Sequence, residues 1–401
     1  MARKNKHRYL ESVIKNDALG SQKIAFISGP RQVGKTTLAE HLLYDTNQSK
    51  NYFSWDDDDF RKIWIKGPKA FLSTIAKGST LVFDEIHKDR KWKSKLKGLY
   101  DLYKKDLNFI VTGSASLDFY RKSGDSLQGR YIPYRLHPLS VGESSKVKPP
   151  PTHDWDEHLD VQYSPESLLK FGGFPEPFFQ QDEKKLKRWQ RLYRERMIRQ
   201  DLRDLQNIRD VTVVENLSLL LQDRVGSQLS YESLREDLSC SFESVKRWTD
   251  LLEALFYCYR IKPYSKNIKR SIFKEPKLYL YDWTQATDKG AQLENMVASH
   301  LLKSCHAWTD CAFGEYELYY LRDKEKREVD FFITEDKKPY ALIEVKSGNS
   351  QPTPALLYFQ NILKPKFTIH VVEREKDERR DMLKYPGVRI MSLKNFLGSL
   401  V

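Results

Sequence analysis

The sequence predicts an α/β protein built in several pieces: a parallel-sheet domain, a helical middle and a second α/β domain toward the C-terminal end. Three observations predict it. Up to about residue 150, short β-branched runs (Lys23–Ser28, Leu81–Asp84, Asn108–Thr112) alternate with amphipathic stretches, the pattern of buried parallel strands joined by helices. From about Pro165 to Glu253, apolar residues recur at helical spacing, as in Leu186–Leu205 and Val213–Asp223. After a helical stretch at Gln292–Leu302, strand-like runs return at Tyr316–Arg322, Glu328–Thr334, Tyr340–Lys346 and Lys366–Val372. The chain has 401 residues, more than the roughly 250–300 that one core accommodates. Pro149-Pro-Pro151 marks a seam, and the expected division is 1–150, 151–212, 213–285 and 286–401.

Composition narrows the function classes. A chain that is 40% hydrophobic, 12% aromatic and 31% charged is neither disordered nor fibrous. Its apolar runs, such as Leu217-Ser-Leu-Leu-Leu221, fall far short of the ~18 residues a membrane helix needs. The basic start, Met1 to Arg8, leads into amphipathic sequence and not an apolar signal core, so a cytoplasmic protein without a membrane partner is expected. The four cysteines form no C-x2-C pair and read as thiols, and Cys305, His306 and Cys311 read as buried packing. A balance of 68 Lys+Arg against 55 Asp+Glu gives +13, which suits a polyanionic partner.

The first element to carry chemistry follows the first strand. Gly29-Pro-Arg-Gln-Val-Gly34-Lys35-Thr36 fits G-x-x-x-x-G-K-[ST], and Thr37 continues into a helix. Glycines let a tight loop aim N–H groups at phosphate oxygens, where the helix N-terminus adds partial positive charge. Lys35 is expected on the β- and γ-phosphates of ATP, with the Thr36 hydroxyl on Mg²⁺. The second strand ends in Asp84-Glu85, two carboxylates delivered to the sheet edge where ligands bind. Asp84 is expected to hold Mg²⁺ through water and Glu85 to polarise the attacking water. After the third strand, Thr112-Gly113-Ser114 offers Ser114 as a sensor of the γ-phosphate.

These runs, with Gly129-Arg130 leading to His137-Pro-Leu-Ser140 and with Phe171-Gly-Gly-Phe-Pro-Glu176, resemble the AAA+ ATPases of bacteria and archaea that carry a C-terminal nuclease-like domain. The resemblance spans nearly the whole chain. It implies a P-loop ATPase core, a helical lid, a winged helix and a fold of the PD-(D/E)XK kind. It also implies that Arg130 is an arginine finger, acting in cis or from a neighbouring subunit of a homo-oligomer. A structural arginine paired with an acidic neighbour satisfies the same residue.

In the middle, the order Val213–Asp223, Tyr231–Leu238, Phe242–Leu255, then Phe256–Ile261 returning at Lys277–Tyr281, reads as a helix-turn-helix with a wing. Val245, Trp248, Leu252 and Leu255 form its core face, leaving Ser244, Lys246 and Arg247 outward. Such a module reads DNA or docks on protein. The wing carries seven basic residues (Arg260, Lys262, Lys266, Lys269, Arg270, Lys274 and Lys277) with Tyr264 and Phe273 between them, which suits phosphate contact and base stacking. DNA is the expected partner, through Lys262, Lys266, Lys269 and Arg270.

The last element sets Asp330 on one apolar strand and Glu344-Val-Lys346 on the next. Alternation puts Glu344 and Lys346 on one face, so two carboxylates and an ammonium converge, an arrangement that can hold a divalent metal beside a water-activating lysine. The resemblance matches this spacing to PD-(D/E)XK nucleases and Glu294 to their additional acidic residue. A buried salt-bridge triad in an inert sheet explains the same charges. The leading expectation is an ATPase whose cycle gates contact with nucleic acid. The rivals are a nucleotide-dependent protein switch with an inert nuclease-like scaffold, and a metal-dependent nuclease regulated by ATP.

Overall fold

The computed structural model describes residues 8–44, 49–67, 71–72, 75–113, 127–144, 155, 161–201, 211–265, 275–346, 351–373 and 385–401. The chain forms two compact units, Met1–His137 and Pro138–Val401. Among the described residues, no helix is long and apolar enough to cross a membrane, and the four cysteines form no disulfide.

The first unit is a parallel five-stranded sheet. Strands β1 (Ile24–Ser28), β2 (Tyr52–Ser54), β3 (Thr80–Asp84), β4 (Asn108–Thr112) and β5 (Tyr131–Arg135) lie in the order β2-β3-β4-β1-β5. Its helices are α1 (Leu10–Ile14), α2 (Lys35–Tyr44), α3 (Asp58–Lys66) and α4 (Trp92–Tyr103). Phe26, Phe83 and Phe109 project from three neighbouring strands into one cluster with Phe60, Trp64, Trp92 and Leu96. Rigid aromatic packing of this kind fixes the strand ends that carry the polar residues. The register sets Ser54 opposite Asp84 and Asp84 opposite Thr112, with Ile27 beside Thr112, so one row closes the C-terminal edge of the sheet. Both strands that the sequence pattern leaves unmarked, β2 and β5, are edges. Three half-buried residues make β2 too short to show a period, and Pro133 sits in β5, where an edge strand tolerates it.

The second unit begins with helices α5 (Pro165–Phe171), α6 (Pro175–Gln180), α7 (Glu183–Arg196), α8 (Val211–Leu220), α9 (Tyr231–Leu238) and α10 (Phe242–Ala254). In α10 the buried face is Val245, Trp248 and Leu252, with Lys246 and Arg247 exposed. A seven-stranded sheet follows, built from β6 (Cys258–Pro263), β7 (Lys277–Leu280), β8 (Tyr316–Arg322), β9 (Glu328–Glu335), β10 (Lys338–Lys346), β11 (Phe367–Val372) and β12 (Arg389–Ser392). Helices α11 (Lys289–Asp310), α12 (Pro354–Leu363) and α13 (Leu393–Gly398) complete it. The expected wing pair β6–β7 forms, antiparallel, but it does not stand apart. β6 also pairs in parallel with β8 at Lys262↔Tyr319 and Pro263↔Tyr320, so the pair continues the C-terminal sheet.

Candidate functional site

The loop between β1 and α2 is shaped by close backbone approach. Gly29 sits at φ +152°, and a Cβ there would lie 2.2 Å from the carbonyl oxygen of Leu136, so only glycine passes. Gly34 sits at φ +101°, with Nη1 of Arg8 3.3 Å from where a Cβ would stand. Arg8 is buried and holds the loop from behind: Nη1 donates to the Val33 carbonyl at 2.7 Å and Nη2 to that of His137 at 2.6 Å. Lys35 is 8% exposed, and its ammonium donates to the carbonyls of Gly29 (2.9 Å) and Pro30 (2.8 Å), folded onto its own loop. Thr36 and Thr37 are exposed in the first turn of α2.

Asp84, at the end of β3, is held by two hydroxyls. Thr112 Oγ1 donates to Oδ1 at 2.5 Å and Tyr52 to Oδ2 at 2.7 Å. Burial raises the Asp84 pKa, while these two donors and the charge of Lys35 pull against the rise. Glu85 follows in the left-handed conformation, φ +55°, with its N–H donated to the Thr112 carbonyl at 2.9 Å and its carboxylate 3.4 Å from His87 Nε2. A non-glycine residue in that region costs of order 1–3 kcal/mol, and such strain collects at functional sites. Ser114 lies outside the described residues.

In the second unit, Asp330, Glu344 and Lys346 come together. Lys346 Nζ is 4.0 Å from both Asp330 Oδ2 and Glu344 Oε1. Glu344, 1% exposed, is fully engaged by protein donors: Thr353 Oγ1 at 2.5 Å, Thr353 N at 3.1 Å and His370 Nδ1 at 3.0 Å. Glu294 lies on α11 but faces a cation that the spacing argument did not include. Lys277, 3% exposed, has its Nζ 3.2 Å from Glu294 Oε1 and 2.7 Å from Glu328 Oε1, and it is charge-coupled to Asp330. Tyr279 donates to Glu294 at 2.7 Å. Burial first, then Glu294, raises the Asp330 pKa to about 6, against the pull of Lys346 and Lys277. Among the described residues, no three His, Cys, Asp or Glu side chains are grouped so as to hold a metal ion. The ammonium of Lys346 stands 4.0 Å from each of the two carboxylates, Asp330 and Glu344.

Comparison with known proteins gives these sites a context. Residues 21–145 match the family model of the AAA domain. Residues 164–284 and 289–396 match two domains of unknown function, DUF8612 and DUF4143. An uncharacterized protein of Haemophilus influenzae is 23% identical over 323 residues, covering 75% of this chain and 78% of that one. One from Methanocaldococcus jannaschii is 24% identical over 334 residues, with 79% and 73% covered. A solved structure, the replication initiator DnaA bound to AMPPCP and single-stranded DNA, aligns with 61% of this chain and 86% of that chain at 12% identity, with a TM-score of 0.31.

Within the first unit, Arg130 is held by an acidic neighbour: Nε and Nη2 bond the two carboxylate oxygens of Asp101 at 2.8 and 3.2 Å. It directly precedes β5, and its carbonyl accepts from Ile24 N, at the start of β1. The phosphate loop leaves the other end of the same parallel strands, about 16 Å away for five residues. That topology corrects the expectation of an arginine finger acting in cis. The basic strip in the second unit is also thinned. Arg260 is bonded to Glu253, Asp250 and Tyr231, and Lys277 is buried in its carboxylate cluster, so neither presents a charge to a partner. Lys262 is exposed; Lys266, Lys269, Arg270 and Lys274 lie outside the described residues.

Proposed function

We propose that the AAA domain binds and hydrolyses ATP with Mg²⁺, and that this cycle gates contact between the second unit and nucleic acid. The observation that carries the first half is the convergence of the Gly29–Thr37 loop with the Asp84 row and the strained Glu85 at one sheet edge. Gly29, Gly34, Lys35, Thr36 and Thr37 are the residues for the phosphates. The Thr36 hydroxyl and the Asp84 carboxylate are oxygen donors suited to Mg²⁺, which when bound offsets phosphate charge. Glu85 takes the proton of the attacking water, and Ser114 is the γ-phosphate sensor. Lys35→Ala is expected to abolish nucleotide binding in titration calorimetry, whereas Glu85→Gln keeps binding and loses turnover at least a hundredfold. Retained affinity in the first variant, or retained turnover in the second, sinks the assignment. Nucleic-acid contact rests on Lys262, Lys266, Lys269 and Arg270 together with the net charge of +13.

The buried lysine favours one refinement. With Lys277 among Glu294, Glu328 and Asp330, and with Glu344 engaged by Thr353 and His370, the PD-(D/E)XK-like constellation is an inert scaffold of the C-terminal domain and not a metallonuclease. DNA incubated with the protein and Mn²⁺ is expected to stay intact. Cleavage that disappears in Asp330→Ala overturns this refinement and leaves the ATPase reading untouched.

A further inference from the structure

We propose that Tyr52 is a positioning residue for Asp84, the carboxylate assigned to magnesium in the nucleotide site, a role that rests on the nucleotide reading above. Its hydroxyl donates to Asp84 Oδ2 at 2.7 Å. The other oxygen of Asp84 is fixed by Thr112 at 2.5 Å.

The direction of the bonds follows from the chemistry of the groups. An ionised carboxylate only accepts, so the proton of the Tyr52 hydroxyl goes to Asp84. The residue type fits the register. Tyr52 stands opposite Val82 on the edge strand and two residues before the row of Asp84, a step of roughly 7 Å along the strand. A phenol spans that step and a serine or threonine does not.

The test is the affinity of the full chain for a non-hydrolysable ATP analogue, measured by calorimetry with Mg²⁺ and again with EDTA. Tyr52→Phe keeps the ring and removes the hydroxyl. Affinity with Mg²⁺ is expected to fall about tenfold, the effect of one lost charge-assisted hydrogen bond, while affinity in EDTA is unchanged. An equal fall in both conditions makes Tyr52 merely structural, and no fall in either makes it idle; both overturn the proposal. A rise with Mg²⁺ overturns it too, because the hydroxyl then obstructs the cation. A wild-type chain that binds no nucleotide in either condition overturns the nucleotide reading and this proposal with it.

Discussion

Asp84, half-buried, and Asp330, buried, are both carboxylates at strand positions with lysines nearby, yet their surroundings make them differ. Asp84 has two hydroxyl donors, whereas Asp330 has one backbone donor, Val345 N at 2.9 Å, and faces Glu294 as well as Lys346 and Lys277. Its pKa of about 6 means that ionisation is disfavoured in the folded chain. A folded-state pKa above the unfolded value contributes stability that is full below about pH 4 and lost as pH rises through 6. Asp330→Asn is therefore expected to match or exceed wild type in thermal stability at pH 7, by on the order of 1–3 kcal/mol, and the gap closes as pH falls toward 4. Buried His300, its pKa lowered to about 4, works in the opposite sense, so the measurement is the difference between the two proteins at each pH. A gap that widens on acidification contradicts the argument. The residues that spacing revealed, Lys35, Asp84 and Glu344, sit in short runs whose chemistry is local. Arg8, Tyr52 and Lys277 were not legible because their partners stand 25, 32 and 17 residues away, a separation that only the fold closes.

Strands and helices with a strong period were readable from sequence: β4, β8 and α9 match their expected ranges, and α11 extends beyond its expected stretch at both ends, its start set by Asp288, which accepts from Ala291 N at 2.8 Å. What the pattern lacked was pairing across elements. Nothing in Cys258–Pro263 announces that β6 will join β8, since a strand's partner depends on register and not on its own period. The caps provide a test at this scale. Thr353 caps α12, accepting from Leu356 N at 3.2 Å, and the same hydroxyl donates to buried Glu344. Ser241 caps α10, accepting from Ser244 N at 3.2 Å and donating to the exposed Ser244 hydroxyl at 3.0 Å, with no buried charge involved. Thr353→Val is expected to cost roughly 2–4 kcal/mol in chemical denaturation, against about 1 kcal/mol for Ser241→Ala. Thr353→Ser keeps both bonds and stays close to wild type. Equal costs at the two caps would mean that Glu344 gains nothing from Thr353.

Across the whole molecule, the excess of positive charge, 68 Lys+Arg against 55 Asp+Glu, attracts polyanions without saying where they bind. The ion pairs commit part of that charge. Arg260 is tied to Glu253 and Asp250, and Lys277 to Glu294 and Glu328, so these two are neutralised within the second unit. Lys262, Lys266, Lys269 and Arg270 carry the proposed contact. Replacing all four by Ala is expected to weaken DNA binding similarly for unrelated sequences and to shallow the plot of log affinity against log salt by roughly 3–4 units, near 0.9 per lost phosphate contact. Arg260→Ala is the matched control: it removes a charge of the same sign from the same strip, and it should lower thermal stability while leaving the slope alone. A slope that responds to Arg260 and not to the other four would reverse the division, because the charge that meets DNA would then be the one this fold has already paired.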